Sequence, residues 1–185
     1  LSLAGSEIFE VKLDGQFLMS SLVNDSEIAL ARLALADLEY HNLDVLIGGL
    51  GLGYTTREAL AQANVRSVVV IEYLPEVVAW HRKGLVPLGK ALTCNPRCRI
   101  VEEDFFALLT ASGCRLDPQF PEQRFHAILL DIDHSPRSLL HPRHRVLYEP
   151  DGLQRLADNL FPGGAFALWS ADPPDDDFMQ VLGHV

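Results

Sequence analysis

The chain has 185 residues, 48 % of them hydrophobic and 22 % charged, with a mean hydropathy of +0.11. That length fits one domain with a full core, and the composition excludes a disordered chain. A formal net charge of −10 repels nucleic-acid phosphates, and no apolar run approaches the ~20 residues that span a bilayer. Neither nucleic acid nor membrane is therefore an expected partner.

The first residues, Leu-Ser-Leu, are not a basic-then-apolar leader. The odd set Cys94, Cys98 and Cys114 then reads as free thiols of a cytoplasmic protein. No second close-spaced Cys or His pair follows Cys94 and Cys98, so no zinc site is expected. The missing initiator Met suggests a longer natural polypeptide.

Two short runs around Asp14-Gly15 predict a β-hairpin, because both turn positions tolerate positive φ. Residues 1–22 read as a hairpin extension to a domain over 23–185. A helix is predicted over 26–41, with Asn24 and Glu27 at capping-box spacing. At 44–53 an apolar run ends in glycines, and a helix follows over 54–63. Strands are then predicted over 67–72, 99–102, 125–131 and 165–170, and helices over 75–83, 104–112 and 151–160. Residues 172–177 read as a solvated loop. The alternation predicts an α/β fold, a Rossmann-like doubly wound parallel sheet with an N-terminal β-hairpin. A ligand belongs beyond the carboxyl ends of its strands, where strand order reverses.

The glycine loop narrows the ligand. A Walker loop would end in Gly-Lys-Ser/Thr, which is absent. The dinucleotide pattern would need glycine at Tyr54 or Thr56, so NAD is disfavoured. What stands is Gly49-x-Gly51-x-Gly53, a spacing that resembles the first motif of class I S-adenosylmethionine-dependent transferases. Free N–H groups of the loop and of the next helix's first turn would favour an electronegative ligand; the bland alternative is a tight turn with no ligand. Glu72, ending the next strand, can accept two ribose hydroxyls. Asp104 reads as a helix N-cap; the resemblance to class I transferases implies that a carboxylate here takes the adenine amine between apolar neighbours such as Phe105, and both roles can coexist.

At Leu13-Asp14-Gly15, Gly48 to Gly53, Glu72, Asp104 and Asp131 the chain resembles the spermidine synthase-like branch of the class I S-adenosylmethionine-dependent methyltransferase superfamily. The resemblance implies S-adenosylmethionine or decarboxylated S-adenosylmethionine as cofactor, and a small acceptor, a polyamine or another amine. Gly49, Gly51 and Gly53 would border the sulfonium, with Tyr54 near its tail, Glu72 on the ribose and Asp104 on the adenine. Asp131 would match the first acid of the branch's Asp-Ser-Ser-Asp-Pro motif, which orients and deprotonates the attacking amine. Here the motif reads Asp131-Ile132-Asp133-His134-Ser135-Pro136, so the second acid is displaced and His134 stands in its place. The family's Tyr-Gln pair has no counterpart around Asp25-Ser26-Glu27. The fold's closing antiparallel strand pair is also expected to be missing. A homodimer remains an open expectation.

Asp131, Asp133 and His134 are thus the candidate catalytic residues. His134 is either a proton relay or a surface-loop residue, and Asp133 either a substrate carboxylate or a turn residue. His141 and His144 read as surface, and Trp80 and Trp169 as core. No metal is expected. Three classes remain: a methyl- or aminopropyl-transferase, an NAD-dependent oxidoreductase, and a non-catalytic protein that keeps the fold for binding or oligomerisation.

Overall fold

A computed structural model describes residues 2–3, 6–113 and 115–185. Cys94 and Cys98 are free thiols, and Cys114 lies outside the described residues. A short antiparallel pair, β1 (Ser2–Leu3) and β2 (Ser6–Glu7), opens the chain without a sequence signal. The hairpin follows as β3 (Glu10–Leu13) and β4 (Gln16–Ser20). Asp14 at φ 50° and Gly15 at φ 83° make the left-handed pair that a two-residue hairpin turn requires.

Helix α1 (Asp25–Ala36) ends before the predicted residue 41, and the capping box does not form. The Asn24 side chain instead donates to the Ser21 carbonyl at 3.2 Å. Glu27, the would-be box partner, is turned inward and only 6 % exposed.

The main sheet comprises β5 (Leu43–Gly48), β6 (Val65–Glu72), β7 (Cys98–Glu102), β8 (Phe125–Leu130) and β9 (Leu160–Leu168). Its order is β7-β6-β5-β8-β9, with every pairing parallel. Strand order therefore reverses between β5 and β8. Along β5, Val45 and Ile47 enter the core on one face and Leu46 the core on the other. This two-sided burial is why the strand reads as a continuous apolar run. All three side chains are fully buried, each contributing roughly 1.5–3 kcal/mol from water exclusion.

Helices α2 (Tyr54–Ala61), α3 (Pro75–Lys83), α4 (Gly89–Thr93), α5 (Phe105–Thr110), α6 (Pro150–Ala157) and α7 (Asp176–Leu182) complete the chain, with a 3-10 helix over Pro142–Tyr148. Strand β9 starts at Leu160 and contains Pro162-Gly163-Gly164, read from sequence as a helix stop. As an edge strand with a register shift opposite Phe125 and Ala127, it tolerates a residue without an N–H. The acidic run is only partly loop, since Asp175 caps α7 by accepting from the Phe178 N–H at 2.8 Å. Among the described residues no helix is long and apolar enough to cross a membrane.

The hairpin lies against the glycine loop. Val11 packs with Leu52, Tyr54 and Val86, and the Leu52 N–H donates to the Met19 Sδ at 3.2 Å.

Candidate active site

A cleft of about 430 Å³ opens at the carboxyl edge of the sheet, beside the point where strand order reverses. Gly49, Gly51, Glu72, Asp104, Phe105, Asp131, Asp133 and His134 all border it. Gly53 and Tyr54 do not. A Cβ at Gly53 would run into Leu92 of α4, and Tyr54 packs in the hairpin core at 7 % exposure. The start of α2 faces neighbouring side chains, so the cleft is lined without these two residues, which the sequence reading set beside a cofactor.

Two of the loop glycines are required by the chain's own packing. Gly49, at φ 93°, lies so near β8 that a Cβ would collide with the Asp131 carbonyl. Gly51, at φ 48°, leaves room for the Met19 sulfur. The loop's N–H groups are also largely engaged. Gly49 donates to the Ile71 carbonyl at 2.9 Å, Gly53 to the Leu50 carbonyl at 2.8 Å, and Leu50 to Glu72 Oε2 at 2.9 Å. They brace the loop instead of standing free for a ligand, as the sequence reading had them. From below, His81 Nε2 lies 2.9 Å from the Gly51 carbonyl.

Glu72 is 7 % exposed, and its Oε1 accepts from the Leu74 N–H at 2.8 Å. Burial pushes its carboxyl up, opposed by the backbone N–H groups of Leu74, Leu50, Gly51 and Tyr73. The residue joins the end of β6 to the glycine loop while facing the cleft.

Asp104 caps α5, its Oδ1 accepting from the N–H groups of Phe106 at 3.0 Å and Ala107 at 3.3 Å. Its Oδ2 is 2.7 Å from the Arg143 guanidinium. Arg143 also sits 5.2 Å above the Tyr73 ring, at the rim of the cleft. Phe105 is 2 % exposed and forms an apolar wall.

Asp131 accepts from the Thr55 hydroxyl at 3.0 Å. Burial pushes its carboxyl from 3.8 up to about 7; the Thr55 hydrogen bond opposes the shift and the charge of Glu27 adds to it. Asp133 has the opposite character. Its Oδ1 accepts from the Leu140 N–H at 2.8 Å and lies 2.7 Å from His144 Nδ1, while its Oδ2 accepts from the Tyr148 hydroxyl at 3.1 Å. The carboxylate ties the loop after β8 to the 3-10 helix, so it is not a free substrate carboxylate. Tyr148 in turn is held protonated by its burial and by the Asp133 charge.

His134 Nε2 is 3.0 Å from the Gln16 amide nitrogen, which couples the loop after β8 to the hairpin across the cleft. His144 is not on the surface as its sequence context suggests. It is 7 % exposed and stacks on Phe106 with ring centroids 3.7 Å apart. His141 is exposed and caps the 3-10 helix through its Nδ1. Trp80 packs in the core as expected, but Trp169 also borders the cleft, its buried Nε1 without a hydrogen-bond partner. Glu27, Arg143 and His144 are the site residues that sequence reasoning missed. Among the described residues no three His, Cys, Asp or Glu side chains group as metal ligands.

No family model matches the chain. Polyamine aminopropyltransferase 2 of Pseudomonas aeruginosa is 32 % identical over 129 residues, covering 68 % of this chain and 32 % of that protein. The polyamine aminopropyltransferase of Pyrobaculum islandicum is 28 % identical over 121 residues, covering 65 % of this chain and 38 % of that protein. The chain thus spans only about a third of the length of these relatives. A solved spermidine synthase, in complex with the transition-state analogue AdoDATO, superposes with a TM-score of 0.73 at 22 % identity, over 95 % of this chain and 57 % of that one. In sequence over the shared region and in fold, this chain is similar to the spermidine synthase-like branch of the class I S-adenosylmethionine-dependent methyltransferase superfamily.

Proposed function

We propose that the cleft binds a sulfonium nucleoside, decarboxylated S-adenosylmethionine, and that the chain transfers its aminopropyl group to an amine. The observation that carries this reading is the convergence of Glu72, Asp104 and Asp131, from three strand ends, on one cavity. The donor set fits such a ligand. Glu72 is a carboxyl whose oxygens suit ribose hydroxyls, Phe105 offers a flat apolar wall, and Glu72 and Asp131 bring two acidic side chains to a cleft that would take a cation. The similarity to aminopropyltransferases favours that transfer over methyl transfer.

When bound, the sulfonium supplies the leaving group: the C–S bond breaks with its electron pair on sulfur as the amine nitrogen bonds to the carbon. Asp131 receives the proton that the amine loses. A carboxyl near 7 is a stronger base than an ordinary carboxylate and is still substantially ionised at neutral pH. The hairpin, joined to His134 through Gln16, keeps water from the reacting atoms. His134 stands where it can relay a proton outward.

Thermal-shift measurements with S-adenosylmethionine, its decarboxylated form, methylthioadenosine and NAD test the reading. The decarboxylated form and methylthioadenosine are expected to stabilise the protein most, and a preference for NAD overturns the assignment. A second reading, a protein that binds without turnover, draws on the commitment of Asp133 to His144 and Tyr148. It predicts no product from 1,4-diaminobutane and the decarboxylated donor by either the parent or Asp131→Asn.

A further inference from the structure

We infer that Glu27 is the second carboxylate of the acceptor site and that, with Asp131, it holds an aliphatic ammonium group; this rests on the function proposed above. Glu27 lies in the first turn of α1, is 6 % exposed and borders the same cleft as Asp131. The Ser26 hydroxyl donates to its Oε2 at 2.7 Å, and among the described residues no cation pairs with it. A buried carboxylate without a counter-ion is costly, and two that face one cavity are costlier still. The negative charge of Glu27 reaches Asp131, since it adds to the upward shift of that carboxyl.

The cationic and imidazole groups at the cleft are already engaged. Arg143 pairs with Asp104, His144 with Asp133, and His134 bonds to Gln16. Asp133, the acid that sequence spacing offers beside Asp131, is closed off by its own three partners. Glu27 and Asp131, like Glu72 at the end of β6, have no cationic partner among the described residues, and the aliphatic hairpin side chains Leu13, Leu18 and Met19 line the same cleft. A ligand that neutralises the acids and covers those side chains carries an ammonium on a methylene chain. A neutral alcohol or a carboxylate would leave the charges unpaired.

Calorimetric titration separates this inference from the function it rests on. The parent protein is titrated with methylthioadenosine and then, with the nucleoside bound, with 1,4-diaminobutane or the uncharged 1,4-butanediol. Glu27→Gln is expected to weaken the diamine at least tenfold while methylthioadenosine stays within twofold, and Glu27→Asp to recover part of the loss. The diol is expected not to bind the parent. Full diamine affinity in Glu27→Gln, or an equal loss of nucleoside and diamine, overturns the role of Glu27. Nucleoside binding without diamine binding in the parent does the same. A parent that takes no methylthioadenosine overturns the functional reading itself, and the inference falls with it.

Discussion

The Thr55 hydroxyl donates to Asp131 Oδ2 at 3.0 Å, so the helix after the glycine loop positions the acid at the end of β8. The sequence separation of 76 residues hides this pairing from any local motif. It fixes the carboxylate toward the cleft and opposes, without cancelling, the effect of burial on its ionisation.

Asp131→Asn is expected to lower the transfer rate by about 10²–10⁴ while methylthioadenosine binding stays near the parent value. It also carries a pH signature. A carboxyl whose folded value of about 7 exceeds its ordinary 3.8 contributes stability that is complete below 3.8 and lost as pH rises through 7. Melting temperatures of the parent should fall across that window relative to those of Asp131→Asn. Parallel curves for the two proteins would contradict the shift.

Asp133→Ala acts on the fold. It leaves His144 and Tyr148 without their buried acceptor, a loss of about 2–4 kcal/mol. Urea unfolding should show that decrease, and limited proteolysis should cut more readily within residues 136–149. A stability change under about 0.5 kcal/mol, the size of an ordinary surface substitution, would return Asp133 to the list of free carboxylates.

The glycine loop offers a comparison that needs no ligand. Alanine at position 49 meets the backbone carbonyl of Asp131, and at position 51 only the end of the flexible Met19 side chain. Gly49→Ala should therefore destabilise more than Gly51→Ala in thermal melts. Met19→Ala should recover part of the Gly51→Ala loss and none of the Gly49→Ala loss. Strictly additive pairs would show that the hairpin does not press on the loop.

Arg143→Ala tests whether the pair with Asp104 competes with an adenine amine. The guanidinium is half exposed, so stability should change by less than about 1 kcal/mol. Methylthioadenosine affinity should rise several-fold as Asp104 Oδ2 is released. Weaker binding would mean that Arg143 itself touches the nucleoside.

Much of the sheet was legible because its strands are apolar runs ended by glycine or an acid. Helix α3 matched its prediction, since Pro75 opens it and Gly84, at φ 67°, closes it. Helix α1 was overrun because residues 37–41 hold no residue that forces a stop. The 3-10 helix escaped notice because its Pro, His and Arg residues show no helical period. His144 owes its burial to Phe106 and Asp133, contacts that only the folded chain supplies. Glu27 was misread through a local rule: the capping-box spacing is present, but the side chain turns into the cleft. The Gly49, Gly51, Glu72, Asp104 and Asp131 positions do reach one cavity, and Asp104 caps α5 as its sequence position suggests, whereas its pair with Arg143 and the ties of Asp133 to His144 and Tyr148 were invisible in the spacing.

The hairpin that covers the glycine loop has a consequence for timing. A two-stranded ribbon is barely stable alone, so β3 and β4 depend on Val11, Met19 and Gln16 touching what lies beneath them. Traffic into and out of the cavity is then set by how often those few contacts part, and any small molecule seated under the ribbon becomes one of its fasteners. Amide exchange in the ribbon should slow when the cavity fills, while that of the central strands stays as it was.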